Sequence, residues 1–164
     1  MIEHNGRSLS PNHHEWRAGR QAWARRPTIL LAEQDDSVRS VLVSLLLHDG
    51  YDVVEAASGN DAIVALEERA AREASTRPVD LVLTEARQQG GSGPVLIEKI
   101  RLAGWRIPAI LLAAEDDVDV LAASQRLNAP LLLKPVTVDA LRRLVLRTLA
   151  SCLRPPPAEP LRGS

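Results

Sequence analysis

From Pro27 onward the chain alternates short aliphatic runs with longer stretches in which apolar residues return every three or four positions, the pattern of strands and amphipathic helices taken in turn. Thr28-Ile-Leu-Leu-Ala32 predicts a buried strand. Val38, Val41, Leu42, Leu45 and Leu46 after it predict one apolar helical face, capped within Asp35 to Ser37. Gly50 ends that helix and Tyr51 to Glu55 predicts the second strand. Ser58 followed three residues later by Asp61 resembles a capping arrangement for a helix over 61–72, with Ala62, Ile63, Ala65 and Leu66 facing inward.

After a polar connection over 73–77, Asp80 to Thr84 predicts the third strand, Gly90-Gly-Ser-Gly93 a loop, and Pro94 the first turn of a helix over 94–103. Ile107 to Ala113 reads as the fourth strand and Glu115 to Leu127 as a helix with an acidic first turn. Asn128 reads as its left-handed cap and Leu131 to Leu133 as the fifth strand. Thr137 caps a last helix whose Leu141, Leu144, Val145, Thr148 and Leu149 make an apolar stripe, with Arg142, Arg143 and Arg147 outside it. Five β-α units in succession predict a doubly wound α/β fold, a five-stranded parallel sheet between two helical layers.

Composition narrows the function classes. The 164 residues suit one domain with tails, and 45% hydrophobic with 25% charged residues is ordinary for a chain that buries a core. Trp16, Trp23, Trp105 and Tyr51 are the only aromatics, too few for base-stacking platforms. Cys152 is the sole cysteine, which excludes an internal disulfide or a cysteine zinc cluster and suits a reducing compartment, with a cytoplasmic location expected. No apolar run has the length of a membrane span, and Met1 to Pro27 does not resemble a signal sequence. Residues 1–26 carry +3, residues 27–150 carry -5 and residues 151–164 carry +1. An acidic folded part disfavours nucleic acid as its ligand, except through the basic arm. The expected organisation is therefore a Trp/Arg-containing arm over 1–26, the domain over 27–150, and an extended Pro-rich tail over 151–164.

In a parallel sheet of this kind the functional crevice lies beyond the carboxyl ends of the strands. The residues there are Glu33-Gln34-Asp35, Glu85, Ala113-Ala114 and Lys134-Pro135. Together with Gly50-Tyr51, the run Asp80-Leu-Val-Leu-Thr-Glu85 and the glycines Gly90 and Gly93, this set resembles the response-regulator receiver domain from Thr28 to about Ala150. The resemblance implies a flavodoxin-like fold. In that family an acidic pair after strand one and an Asp after strand three hold Mg²⁺, the Asp accepts a phosphoryl group, a Thr or Ser after strand four senses it, and a Lys pairs with it.

Matched by motif, the acceptor position is Glu85, the acidic pair is Glu33 and Gln34, the Thr/Ser position is Ala113, and Arg87 lies two past the acceptor. Lys134 alone is retained, Leu131 stands where the family has an aromatic switch, and Gln88-Gln89 replaces the usual Met-Pro. An amide at Gln34 removes a ligand charge, so Mg²⁺ binding is expected weak or absent and no cofactor is expected. Glu85 carries its carboxylate one methylene further out, and Ala113 cannot donate a hydrogen bond to a phosphoryl oxygen. The resemblance therefore implies a pseudo-receiver, not an enzyme. Glu85 is expected to reach Lys134 in a metal-free ion pair, as a mimic of the phosphorylated form or as a structural remnant, while Arg87 can capture Glu85 or Glu33.

The expected role is a stand-alone, phosphorylation-independent protein-interaction module in bacterial signalling, with a protein partner and a homodimer face on helix four, strand five and helix five. Trp16, Trp23, Arg142, Arg143 and Arg147 are the candidate interface residues. An atypical receiver still phosphorylated by a histidine kinase, and a nucleic-acid-associated regulator using the arm, are the alternatives. The adjacent His13-His14 pair lacks companions for a metal site, and Glu115, Asp116, Asp117 and Asp119 read as a helix's acidic first turn.

Overall fold

Thr28–Ala32 forms β1 with all five residues buried, as a strand covered on both faces by helices requires. The remaining elements follow in strict alternation: α1 (Asp36–His48), β2 (Asp52–Ala56), α2 (Gly59–Glu73), β3 (Leu81–Glu85), α3 (Gly93–Leu102), β4 (Ala109–Ala113), α4 (Val118–Leu127), β5 (Leu131–Leu133) and α5 (Val138–Ser151). The computed structural model describes residues 25–74, 77–88, 91–114 and 117–152. The Trp16/Trp23 arm, the histidine pair and nearly all of the Pro-rich tail lie outside them.

The strands pair in parallel in the order β2-β1-β3-β4-β5, the doubly wound flavodoxin-like arrangement with its reversal between β1 and β3. Alternation along each strand splits the core in two. Leu30, Val82 and Leu111 pack with Leu66, Leu96, Ile97, Ile100 and Val120 on one face. Ile29, Leu31, Leu83 and Leu112 pack with Leu42, Leu46, Leu141, Val145 and Leu149 on the other.

Local signals set the boundaries. Asp35 caps α1 by accepting from Ser37 N and Val38 N, Ser58 caps α2 by accepting from Asp61 N, and Thr137 caps α5 by accepting from Ala140 N. Gly50 follows α1 at φ 87, the left-handed region a glycine enters without a Cβ penalty, and Asn128 ends α4 at φ 50. At the amino end of the sheet, Asp80 accepts from Arg25 at 2.9 and 3.0 Å and from Thr28 N at 2.8 Å, which ties β1 to β3.

Several boundaries and faces differ from the sequence expectation. β2 begins and ends one residue later, α2 begins at Gly59, β4 begins at Ala109, and α4 begins at Val118 because Asp117 is its cap. Val41 is not part of the inward face of α1: it is 67% exposed, while Leu42 and Leu46 make the buried contact. Arg142 is not outside the α5 stripe either. Its Nε and Nη2 each donate at 2.7 Å to Asp49, a carboxylate whose residue is 3% exposed, and burial of that carboxylate draws the guanidinium in.

Candidate functional site

The strand ends bring three charges together. β1 runs out at Ala32 and delivers Glu33, which is fully buried and held to β2 by a bond from its N–H to Ala56 O at 3.1 Å. Glu85 is the last residue of β3. Lys134 follows β5, and its N–H donates to Ala113 O at 2.7 Å, which fixes its stem beside the end of β4. The Lys134 ammonium then donates to Glu33 Oε2 and Glu85 Oε1, both at 2.9 Å. One cation serves two carboxylates drawn from 101 and 49 residues away.

The remaining oxygens are unevenly satisfied. Glu33 Oε1 accepts from Asp35 N at 3.0 Å, whereas Glu85 Oε2 is buried with no hydrogen-bond partner. Burial, opposed by the Lys134 bond and reinforced by Glu33, holds the Glu85 carboxyl above its usual range. Burial pulls Lys134 the other way, but its bonds to Glu85 and Glu33 outweigh that and hold the ammonium pKa above the usual 10.5. Two carboxylates around one ammonium leave a surplus negative charge, and Glu85 bears its cost.

Arg87 is captured by neither Glu85 nor Glu33. It pairs with Asp117 across the mouth of the crevice, because the N-cap of α4 holds that carboxylate fixed by bonds from Asp119 N and Val120 N. The Arg87 bond keeps the Asp117 carboxyl below its usual range. Glu85, Arg87, Ala113, Asp117 and Val120 line a cavity of about 410 Å³. Ala113 is buried and presents a methyl group there. Gln34 is exposed, and among the described residues no group of three or more His, Cys, Asp or Glu is placed to hold a metal ion.

Beyond the pocket, Leu131 is half-buried against the core, and Arg143 and Arg147 are exposed. Sequence reading passed over two residues that shape the site. Asp117 was assigned only to a helix turn, and Arg39 was not singled out, although its Nη1 donates to Glu33 O at 2.8 Å and its guanidinium also meets Asp36 and Glu55. The spacing of Arg39 three residues after Asp36 was the available signal.

Comparison with known proteins agrees with this geometry. A family model described as the response regulator receiver domain matches residues 29–146. The chain is 35% identical over 125 residues to the transcriptional regulatory protein AfsQ1 of Streptomyces coelicolor, covering 74% of this chain and 52% of that one. It is 32% identical over 119 residues to the two-component response regulator-like protein PRR37 of Oryza sativa subsp. japonica, covering 71% of this chain and 15% of that one. The chain thus spans about half of the first relative's length and far less of the second's. Among solved structures, a response regulator receiver protein from Pseudomonas putida superposes with a TM-score of 0.65 at 28% identity, covering 76% of this chain and 99% of that one. A receiver domain from Clostridium thermocellum reaches 0.68 at 21% identity, covering 77% and 96%. With the strand order, the crevice at its reversal and the match over 29–146 in agreement, the chain belongs to the response regulator receiver family.

Proposed function

We propose that this chain is a degenerate receiver that works as a phosphorylation-independent protein-interaction module in bacterial two-component signalling, with Glu85 at the phosphoacceptor position. The observation that carries the reading is the placement of the Lys134 ammonium 2.9 Å from both Glu33 and Glu85. A near-octahedral Mg²⁺ needs several hard anionic oxygens. Of the four carboxylate oxygens here, two accept from Lys134 and one from Asp35 N, which leaves Glu85 Oε2. The donor set does not fit the metal that the family uses. Ala113 in place of a hydroxyl and Leu131 in place of an aromatic remove the residues through which a phosphoryl group would be sensed. The triad is then a structural brace that holds the domain in one state.

Exposed apolar residues on α4, β5 and the start of α5 support a protein partner on that side, with Val118 79%, Leu121 49%, Leu133 44% and Val138 45% exposed. Arg143 and Arg147 belong to the proposed face, whereas Arg142 is engaged with Asp49 within the domain. The two transcriptional and response-regulator-like relatives are consistent with a signalling role for the whole protein.

The test is a backbone amide NMR titration with Mg²⁺, then with Mg²⁺ and beryllofluoride. The expected result is no saturable shift at Glu33, Glu85, Ala113 or Lys134, and Mg²⁺ binding gained in a Gln34→Asp, Glu85→Asp, Ala113→Thr triple variant. Saturable shifts in the unaltered protein that spread into α4 and α5 overturn the proposal in favour of an atypical phosphoacceptor, for which the buried, unpaired Glu85 Oε2 is the candidate atom.

A further inference from the structure

The opposite end of the sheet carries a second concavity, unrelated to the Lys134 triad. It lies at the amino ends of β4 and β5, where the last turns of α5 and the α3–β4 connection meet, and measures about 530 Å³, within the range of small-molecule sites. Three arginines line it, Arg101, Arg106 and Arg147, with no aspartate or glutamate among the lining residues. In a chain with 21 acidic residues against 20 basic ones, that segregation is a feature to explain.

Among the described arginines, these three form no ion pair with a carboxylate, as is also true of the scattered Arg26, Arg72 and Arg143; what sets them apart is that they share one concavity. Arg25, Arg39, Arg69, Arg77, Arg87, Arg126 and Arg142 each pair with a carboxylate. Arg106 and Arg147 have no ion pair among the described residues, and Arg101 is held only by carbonyl oxygens, those of Trp105 and Ile107. Those two bonds leave the Arg101 guanidinium oriented with its charge unneutralised, and burial lowers its pKa. Three exposed guanidiniums around one concavity, with no carboxylate partner among the described residues, repel one another, which a bound anion would reverse. Guanidinium forks match phosphate oxygens, and oriented ones lose little entropy on binding. Thr148, Ser151 and Asn128, an apolar floor of Ile107, Pro108, Pro130 and Leu144, and Cys152 complete the lining.

We propose that this cavity is a binding site for a small phosphate-bearing molecule of nucleotide size, gripped by Arg101, Arg106 and Arg147. The site shares no residue with the Lys134 triad, although it shares Arg147 with the proposed partner face. Occupancy would tie the end of α5 to the α3–β4 connection and so connect a soluble anion to the helix that carries Arg143.

The experiment is an amide NMR titration of the full chain in magnesium-free buffer with inorganic pyrophosphate and, separately, with ADP. Saturable shifts are expected over Arg101 to Ile107 and Thr148 to Cys152. In an Arg106→Ala, Arg147→Ala double variant, affinity is expected to fall by about tenfold or more, the loss of about 1.4 kcal/mol or more, and to be kept in Arg143→Ala. Neither substituted arginine makes a contact that the fold needs, and an unchanged melting temperature checks this. Tighter binding of ADP supports a role for the apolar floor, and equal binding assigns the site to the diphosphate group. Absence of saturation by both probes, shifts elsewhere on the surface, or an equal loss in Arg143→Ala overturns the proposal.

Discussion

Replacing Lys134 with methionine keeps the length of the aliphatic stem and removes the ammonium. The two oxygens it bridges each lie 2.9 Å from Nζ, so they are at most about twice that distance apart. At an effective dielectric constant of about 20 their repulsion is then at least about 3 kcal/mol. The protein has one escape, protonation of Glu85, which costs about 1.4 kcal/mol for each unit by which its carboxyl must rise from the usual 4.5 to the working pH. At pH 7 that escape costs about as much as the repulsion, and the expected loss of stability is about 3 to 4 kcal/mol, within the range for breaking a buried ion pair. For a domain of this size the melting temperature should fall by roughly 10 °C.

The pH dependence separates this account from a simple packing defect. A carboxyl whose pKa is raised by folding destabilises the native state above its folded pKa and ceases to do so as the pH falls below it, because the folded state takes up a proton. The Lys134→Met deficit should therefore shrink as the pH falls from 7 to 5, since loss of the ammonium raises the Glu85 carboxyl further. Glu85→Gln in the same background should recover part of it at pH 7. Guanidinium chloride unfolding of the wild type, both single variants and the double variant at the two pH values measures all of this, and the cycle isolates the Lys134–Glu85 coupling. A loss below about 1 kcal/mol at pH 7 that does not change at pH 5 would refute a shared buried cation.

Gly93→Ala should destabilise the domain by about 1 to 3 kcal/mol in equilibrium unfolding, because a Cβ there would sit 2.4 Å from Glu85 O and 2.9 Å from Leu111 Cδ2. Arg142→Met should cost about 3 kcal/mol, since Asp49 is 3% exposed and receives two 2.7 Å bonds from that guanidinium. A partner-docking role alone would leave its melting curve unchanged. Asp117 has a carboxyl held down by Arg87, so its contribution is present above the usual 3.8 and lost as the pH falls through the lowered value. In Arg87→Ala, NMR titration of the Asp117 carboxyl should show its pKa moving up. The opposite sign applies to Lys134, whose stabilisation should be fully present below the usual 10.5 and be lost as the pH rises from there through its raised folded value.

Much of the fold was legible because its signals are local. Aliphatic runs at β1 and β5, the caps Asp35, Ser58 and Thr137, and the left-handed Asn128 each involve residues within a turn or a strand of one another. Such patterns act before any distant contact forms. The alternation of five strands with helices was likewise enough for the layer architecture. The identities Glu85, Gln34 and Ala113 at the strand ends were also readable, since strand ends were predicted to face the crevice.

Charge pairing was legible for Glu85 and Lys134, which strand ends bring together, but not for the arginines, because several partners stand at equal chemical merit until the backbone selects one. Arg87 had two carboxylates, Glu85 and Glu33, within the reach of sequence reasoning, and the cap of α4 put a third, Asp117, in its path. Arg142 counted as a surface residue by helical period, yet the turn after α1 places Asp49 against α5 and draws it in. Val41 has the right spacing for a core position, but only Leu42 and Leu46 of that helix meet the sheet closely enough to be buried. Chain pattern determined the strands, helices and caps, whose energetics are settled among neighbours. Tertiary structure alone decided that Glu33 shares the Lys134 ammonium with Glu85, and that three arginines without carboxylate partners among the described residues share one cavity, because both depend on where separated segments converge.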